Sequence, residues 1–479
     1  MEILPASGYN NGCFDRKKKY GRQMSNDIKK ANLFTSGPIF LPLIKFAVPI
    51  LGALILQSLY SAVDLWVVGQ YGVTADISAV ATGSQLIMTI TNIIIGLAVG
   101  TSVMIGQNIG AGNRDAAGDV LAAGIKLFTC LAVVVMIALP IAAPALAGVL
   151  NAPADAFDKT VGYVRICALG GIFIIGYNLL SSIFKGMGDS RTPLLSVAIA
   201  AVLNIIGDVA FVKGLGMGAS GAALATVISQ AVSVVICLLI IGRRGLPFEF
   251  SVSKIKKKQG GNIKRTVKLG APIALQSILV NISFLVITSL INDIGLTESS
   301  GLGVAEKLCG FIMLLPAAFS QALSSVVAQN IGAAKPERAR KALLIGMLSS
   351  FALSLVVAYF AFFQGQLLAS IFTRDTAVMA AAADYLKAYA IDTLLVSFLF
   401  CFIGYFNGCG YTLFTMIQGI IGGILIRIPV SIIMKSIVPV SLFRIGLATP
   451  CSSIVQLIFC LVVFIIKNKK TLPVKADKV

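Results

Sequence analysis

Four acidic residues stand well inside long apolar stretches of the sequence. They are Asp64, Asp208, Glu306 and Asp392, out of 20 Asp and Glu in the chain. A charged side chain at the centre of a bilayer costs about 2.5–3.5 kcal/mol or more, so these acids are expected to face a protein interior and to act there. The alternative is that each acid forms a structural pair with a base in the apolar stretches. The candidate bases are Lys45, Arg165, Lys307 and Arg427.

Asp64 and Asp208 are accompanied by neutral polar residues at helical spacing. Gln57, Tyr60 and Asp64 form a polar stripe in one stretch, and Asn204 stands four residues before Asp208 in another. Two carboxylates in one partly desolvated pocket repel each other, which makes a proton exchangeable near neutral pH. Carboxylate, amide and hydroxyl oxygens also suit Na⁺. The residues therefore predict a cation site that admits either ion.

Composition identifies the chain as an integral membrane protein. Of its 479 residues, 57% are hydrophobic and 12% are charged, whereas soluble domains carry about 25% charged residues. The sequence has no His, which excludes His-based proton relays and catalytic triads, and its nine Cys are scattered without a metal-binding spacing. We expect no cofactor, and no metal beyond a possible Na⁺ at the acidic pocket.

The apolar stretches make about twelve spans, each of the roughly 20 residues that cross a bilayer, and the chain repeats itself. Gln107-Asn-Ile-Gly-Ala111 recurs 222 residues later as Gln329-Asn-Ile-Gly-Ala333, and Gly186 falls on Gly408 with the same offset. Each copy holds six spans, an even number, so both copies cross the membrane with the same polarity. The expected fold is an all-α integral membrane protein. Its twelve transmembrane helices form two six-helix bundles related by a pseudo-two-fold axis along the membrane normal.

Basic residues predict the sidedness of the chain. The net charge is +19, and 21 of the 39 Lys and Arg lie in three polar blocks, at 16–30, at 243–268 and from 467 onward. Such blocks mark the cytoplasmic ends of spans and contact anionic lipid headgroups, and no soluble domain remains to bind nucleic acid. We expect a multi-pass protein of the cell membrane with both termini in the cytoplasm. The expected organisation is a tail at 1–38, a first lobe with helices one to six at 39–242, a connector at 243–266, a second lobe with helices seven to twelve at 267–467, and a tail at 468–479.

Several motifs in this order resemble the multidrug and toxic compound extrusion (MATE) family, from about residue 36 to 467. They are the two Gln-Asn-Ile-Gly-Ala segments, Phe184–Pro193 with its partner Phe406–Gly410, Pro49 with Asp64, and Arg427-Ile-Pro429. Asn204-x-x-x-Asp208, with Asp64 upstream and Thr226 downstream, resembles the DinF-like branch. That resemblance implies that Asp64 and Asp208 bind or release the coupling cation. Its coordination would be completed by Asn204, Thr226 and, as a further candidate, Asn178.

The second copy does not repeat the acidic pattern, because Asp208 aligns there with Val430. Ala305-Glu306-Lys307 also resembles the DinF-like branch, and Asp392 stands where other branches of the family place a functional acid. Contact with the substrate or a gate and structural pairing are both open for these acids. The candidates for substrate or gate contact are Gln57, Tyr60, Glu306 and Asp392.

The resemblance implies secondary active export of organic, cationic or amphipathic compounds by antiport with H⁺ or Na⁺, through alternating access of the two lobes. A monomer in contact with membrane lipids is expected, and deletion of residues 1–23 is expected to leave transport intact. One alternative is a lipid-linked oligosaccharide flippase of the same superfamily, which several Arg residues lining the cleft would favour. A passive channel and, from another class, a membrane-embedded enzyme are further alternatives. No nucleotide-binding motif indicates direct drive by ATP.

Overall fold

Helices make up nearly all of the computed structural model, which describes residues 34–257 and 259–470. The first half contains α1 (Phe40–Tyr71), α2 (Thr74–Gly110), α3 (Arg114–Val149), α4 (Ala154–Leu169), α5 (Gly171–Met187), α6 (Arg191–Asp208) and α7 (Gly218–Arg244). The second half contains α8 (Val252–Lys256), α9 (Gly260–Asn292), α10 (Leu296–Gly332), α11 (Pro336–Phe363), α12 (Gly365–Ala369), α13 (Thr376–Cys409), α14 (Thr412–Ile420), α15 (Ile428–Ser436), α16 (Leu442–Gly446) and α17 (Ala448–Lys470). A π-helical segment, Val209–Gly214, continues α6, and another, Ile421–Arg427, joins α14 to α15.

Eleven helical segments of the described chain are long and apolar enough to cross a membrane. The twelfth crossing is the pair α4 and α5, which is bent by 54° at Gly170. The prediction of an all-α membrane protein with twelve spans is confirmed. The apolar side chains that face outward from the bundle, such as Ile141 and Val134, suit a lipid surface.

Helices α1 to α7 form the first lobe and α9 to α17 the second, and both lobes begin and end at one face of the bundle. We call this the basic face; it contains the α2–α3 turn and the α10–α11 turn. The opposite or distal face contains the α1–α2 turn, where Asp76 accepts hydrogen bonds from Lys159 Nζ at 2.8 Å and Ala219 N at 3.1 Å. That network ties α2, α4 and α7 together at the distal end of the first lobe.

Short polar segments fix where the helices begin at the basic face. Asp189 Oδ1 accepts from the backbone N–H groups of Arg191 and Thr192 at 2.9 and 3.1 Å, which satisfies two free donors at the start of α6. Asn113 Oδ1 accepts from Ala116 N at 3.2 Å and caps α3 in the same way. The cap at Asp189 holds the start of α6, the helix that leads to the acidic pocket.

The connector between the lobes is packed against the first lobe. Lys254 of α8 donates to the backbone oxygen of Asp115 at 2.8 Å and to its carboxylate at 2.6 Å. Lys126 donates to the backbone oxygen of Lys257 at 2.7 Å. Helix α9 begins at Gly260, so residues 260–266, expected in the connector, form its first turns. Hydropathy marks the length that crosses the bilayer, whereas the helix continues into the polar surface layer.

The segment before α1 is tied to the second lobe. The Arg338 side chain donates to the backbone oxygens of Phe34, Ser36 and Gly37, each at 2.8 Å. The Phe34 ring is buried and lies 5.1 Å from the ring of Phe46. The segment that leads into α1 of the first lobe is therefore held in place by α11 of the second lobe. Residues 1–33, including the expected dispensable segment 1–23, and residues 471–479 lie outside the described part of the chain.

Candidate functional site

The two acids of the first lobe lie on neighbouring helices and are buried. Helix α1 carries Asp64 and packs against α6, which ends at Asp208. Asp64 is 6% exposed and Asp208 is 0% exposed. Asn204, one turn before Asp208, is also buried, and Thr226 reaches the same place from α7. The structure thus brings together four residues that the sequence predicted in one site.

The contacts among these four residues leave several oxygens without a partner. Thr226 Oγ1 donates to Asp64 Oδ2 at 3.5 Å, and the carboxylate of Asp64 also interacts with Asp208 and with the Asn204 amide. Asp64 Oδ1, both carboxylate oxygens of Asp208 and both polar atoms of the Asn204 amide have no hydrogen-bond partner among the described residues. Buried polar atoms are nearly always paired, so these atoms have the capacity to bind a further partner.

A buried cluster of unpaired oxygens fits a small cation. A proton held between Asp64 and Asp208 removes their repulsion and supplies the missing donor. A Na⁺ ion is served equally well by carboxylate, amide and hydroxyl oxygens. The described residues contain no group of three or more Cys, His, Asp and Glu side chains that could hold a metal ion, so a transition-metal centre is not indicated there.

The polar stripe of α1 continues from the acid pair toward the basic face. Gln230 Nε2, on α7, lies 3.5 Å from the hydroxyl oxygen of Tyr60 and donates to it. Sequence reasoning missed Gln230, although it stands four residues after Thr226 and therefore on the same helical face. Tyr163 of α4 is buried and close enough to Asp64 to interact with its charge. Its ring packs in the hydrophobic cluster that includes Val67 and Val68 of α1.

Asn178 lies in a different place from the acid pair. Its amide donates to the backbone oxygen of Ile174 at 2.8 Å. Together with Gln57 it lines a cavity of about 50 Å³ between the lobes, whose other polar residues include Lys185 of α5 and Gln321 of α10. The predicted site is therefore spread over two polar regions, the acid pair and this inner cavity.

The two acids of the second lobe accept hydrogen bonds from different residues and share no partner. Glu306 Oε1 accepts from Thr288 Oγ1 at 2.8 Å, and Asp392 Oδ1 accepts from Ser453 Oγ at 2.5 Å. Lys307 does not pair with Glu306; its ammonium lies 5.9 Å from the centre of the Phe372 ring. Of the four acids, only Asp64 and Asp208 share a pocket.

Arg427 occupies the core of the second lobe beside Asp392. It is 6% exposed, donates to Ser283 Oγ at 2.9 Å, and its guanidinium lies 4.4 Å from the centre of the Phe284 ring. Its charge interacts with that of Asp392, although no ion pair within 4.0 Å forms between them. Asp392 thus has Arg427 as a neighbouring charge without a direct ion pair, and both structural pairing and contact with the substrate or a gate stay predictions for this acid.

Glutamines of the duplicated motif join the two lobes at the basic face. Gln107 Nε2 donates to the backbone oxygen of Gly408 at 3.1 Å, and Gln329 Nε2 donates to that of Gly186 at 2.9 Å. These four positions are related by the 222-residue repeat, so the contact is made twice with the lobes exchanged. We call this pair of contacts the glutamine clasp.

Glycines let α2 and α10, the helices that carry Gln107 and Gln329, touch each other. A Cβ on Gly110 would collide with the backbone oxygen of Gln329, and a Cβ on Gly332 would collide with that of Gln107. Helices α2 and α10 therefore cross with backbone against backbone at the basic face. The cleft between the lobes is closed at that end by contacts that obey the pseudo-two-fold symmetry.

Comparisons with known proteins agree with this architecture. The sequence profile of the MatE family matches residues 49–210 and again residues 272–433. The probable multidrug resistance protein YpnP of Bacillus subtilis is 29% identical over 310 residues, which are 64% of this chain and 69% of that protein. The multidrug export protein MepA of Staphylococcus saprophyticus is 24% identical over 84% of this chain and 89% of its own. An FAD transporter of Shewanella oneidensis is 26% identical over 73% of this chain and 78% of its own.

Solved structures show the same fold. A crystal structure of MATE in complex with MaD3S has a TM-score of 0.86 at 22% identity and covers 92% of this chain and 99% of that chain. An outward-facing conformation of a multidrug resistance MATE family transporter of the MOP superfamily has a TM-score of 0.85 at 22% identity. The family profile matches each lobe once and covers more than half of the sequence. The chain therefore belongs to the MatE family, whose members are membrane transporters and not enzymes.

Proposed function

We propose that the protein is a secondary active exporter of organic, cationic or amphipathic compounds, and that it works by antiport with H⁺ or Na⁺. The observation that carries this proposal is the buried pair of Asp64 and Asp208, whose oxygens lack partners, in one lobe of a two-lobe transporter fold. The relatives named as multidrug resistance and multidrug export proteins support the class of cargo. By its motifs the chain is assigned to the DinF-like branch.

The coupling cation binds at Asp64, Asp208, Asn204 and Thr226. Binding removes the repulsion between the two carboxylates, so α1 and α6 can approach each other. Gln57 and Tyr60 lie on the same face of α1 as Asp64. A movement of Asp64 is therefore passed along that helix to these two candidates for substrate contact. Cation entry and substrate exit are thereby linked.

The basic face is the cytoplasmic side of the cell membrane, since Lys and Arg concentrate on cytoplasmic loops. With the glutamine clasp formed, the cleft is closed toward the cytoplasm and the acid pair is reached from outside. Breaking the clasp opens the cleft inward for loading. The membrane potential adds about 2.3 kcal/mol per charge for each 100 mV, a contribution that is lost if one monovalent cation is exchanged for another.

The protein acts as a monomer within membrane lipids and needs no bound cofactor. The flippase alternative calls for an arginine-lined cleft. Arg165 is instead bonded to the backbone oxygen of Pro140 in its own lobe, and Arg427 is buried in the second lobe. We therefore retain multidrug export as the proposal.

Proteoliposomes test the proposal directly. Export of a fluorescent organic cation is measured at fixed sodium with a varied pH gradient, and then at fixed pH with a varied sodium gradient. Flux should follow one of the two gradients in the wild type and lose that dependence in Asp64→Asn and Asp208→Asn. Asp158→Asn, which changes an exposed acid of α4, is the matched control. Flux that ignores both gradients in the wild type contradicts antiport, and unchanged coupling in both variants contradicts the site.

A further inference from the structure

Lys185 is a partly buried cation at the end of the inner cavity, and no carboxylate of the described residues forms an ion pair with it. Its ammonium group donates to Gln321 Oε1 of the second lobe at 2.9 Å. An ammonium has three donors, so two remain for another acceptor. A partly buried positive charge without a counter-charge is costly, and an anion in the cavity would offset that cost.

The cavity walls suit an anion rather than a second cation. Beside Lys185 they carry the hydroxyl groups of Ser181, Ser182 and Ser190 and the amides of Gln57 and Asn178. Hydroxyl and amide groups can all turn a donor toward an anion. No acidic residue lines the cavity.

The size of the cavity limits what enters it. About 50 Å³ is enough for a few water molecules or one carboxylate group, whereas drug-sized ligands occupy pockets of roughly 300–1,000 Å³. The cavity therefore has room for one group of a larger molecule and not for a whole drug-sized molecule.

The position of the cavity indicates the rest of that molecule. Gln57 belongs to the cavity wall, and Asp64 stands seven residues further along the same face of α1. Two turns of helix separate them by about 10 Å. The cavity wall at Gln57 and the acid pair at Asp64 thus lie about 10 Å apart along one polar stripe.

We propose that the Lys185 cavity is an anion subsite that holds the carboxylate of an amphoteric organic substrate while the cationic end of that substrate faces Asp64 and Asp208. The inference rests on the proposed export function and names its substrate class more closely. A free inorganic anion offers the same chemistry to Lys185, so the test separates the two sources.

The experiment compares a zwitterionic rhodamine bearing a free carboxylate with its methyl ester, which keeps the cation and lacks the anion. Gradient-driven transport is measured in proteoliposomes, and binding to the solubilised protein is measured by fluorescence anisotropy. Lys185→Gln should raise KM and Kd for the zwitterion by about tenfold, which is the loss of one charge-assisted interaction. The values for the ester should change less than twofold. Lys185→Arg should retain recognition of the zwitterion, and Lys45→Gln, which removes an exposed lysine of α1, should leave both probes unaffected.

Equal losses for the zwitterion and the ester in Lys185→Gln overturn the proposal, because they assign Lys185 to the contact between the lobes alone. If replacing chloride by gluconate weakens wild-type binding of both probes alike and has no effect in Lys185→Gln, the cavity holds a free anion and the carboxylate assignment is wrong. Failure of the proposed function looks different. In that case neither probe follows an ion gradient, while the anisotropy comparison still reports on Lys185.

Discussion

The two lobes repeat one fold but bury different charged groups, two acids in the first lobe and an acid beside an arginine in the second. In the first lobe, Asp64 and Asp208 face each other with oxygens unpaired. In the second, the position equivalent to Asp208 is Val430, and Arg427 lies beside Asp392 in a core whose polar groups are mostly bonded. The difference teaches that a repeated scaffold does not require repeated chemistry, since the buried acid pair at Asp64 and Asp208 has no counterpart at Val430.

The largest effect is expected at the acid pair. Asp208→Asn or Asp64→Asn should lower gradient-driven export on the order of 100-fold, the upper range of coupling between sites. Asp392→Asn should reduce the rate but keep its dependence on the gradient, because Asp392 is bonded to Ser453 and belongs to the other lobe. Transport in proteoliposomes measures both. If Asp392→Asn alone abolished the gradient dependence, the assignment of the lobes would be reversed.

The next largest effect concerns thermal stability. A variant in the second lobe should lower it, and a variant in the first lobe should raise it. Arg427→Leu leaves Asp392 buried beside no cation and should cost about 3 kcal/mol, whereas adding Asp392→Leu should restore most of the loss. Asp208→Asn removes a repulsive charge from the first lobe and should raise the thermal midpoint. Thermal unfolding in detergent gives these values. A fall in stability for Asp208→Asn would mean that the acid pair is held by contacts that favour its charge.

A smaller and symmetric effect is expected at the glutamine clasp. Gln107→Ala and Gln329→Ala each remove one hydrogen bond, worth about 0.5–1.5 kcal/mol, from the closed arrangement of the lobes. Distances between spin labels at the exposed residues Arg191 and Lys341 should shift toward the open population by similar amounts in the two variants. A clearly unequal response would show that the lobes differ at the basic face as well as in their cores.

The smallest effect is expected where the connector meets the first lobe. Burial acts to lower the pKa of Lys254, but its hydrogen bond to Asp115 and the charge of Asp119 outweigh this, and the pKa is raised above its ordinary 10.5. The contact therefore contributes fully below that value and is lost only as pH rises through the higher pKa of the folded state. Lys254→Gln should lower the thermal midpoint slightly, by the same amount between about pH 6 and pH 9. A pH-dependent difference within that range would point to another titrating group.

Much of this arrangement was predictable from the sequence. Long apolar stretches predict the spans, and polar residues at helical spacing inside them predict that Asp64, Asn204 and Asp208 share one site. Asn178 was harder, because the 54° bend between α4 and α5 turns its face toward the inner cavity, and periodicity carries no signal for a bend. The surroundings of Arg427 were also hard to predict, because its side chain contacts Ser283 and Phe284 of α9, and spacing within one helix does not show contacts with another. The π-helical segment that ends at Arg427 also shifts the face on which it stands.

The crossing of Gly110 and Gly332 has a consequence for leakage. A seal made of side chains loosens whenever a rotamer changes, whereas backbone pressed against backbone has no rotamers to change. No transient chain of water molecules that could conduct a proton therefore forms at this crossing. Larger residues at either glycine would hold the helices apart, and under the proposed antiport we expect ions then to cross without cargo. If the proposed antiport is correct, two missing methyl groups thus separate coupled transport from leakage of the gradient.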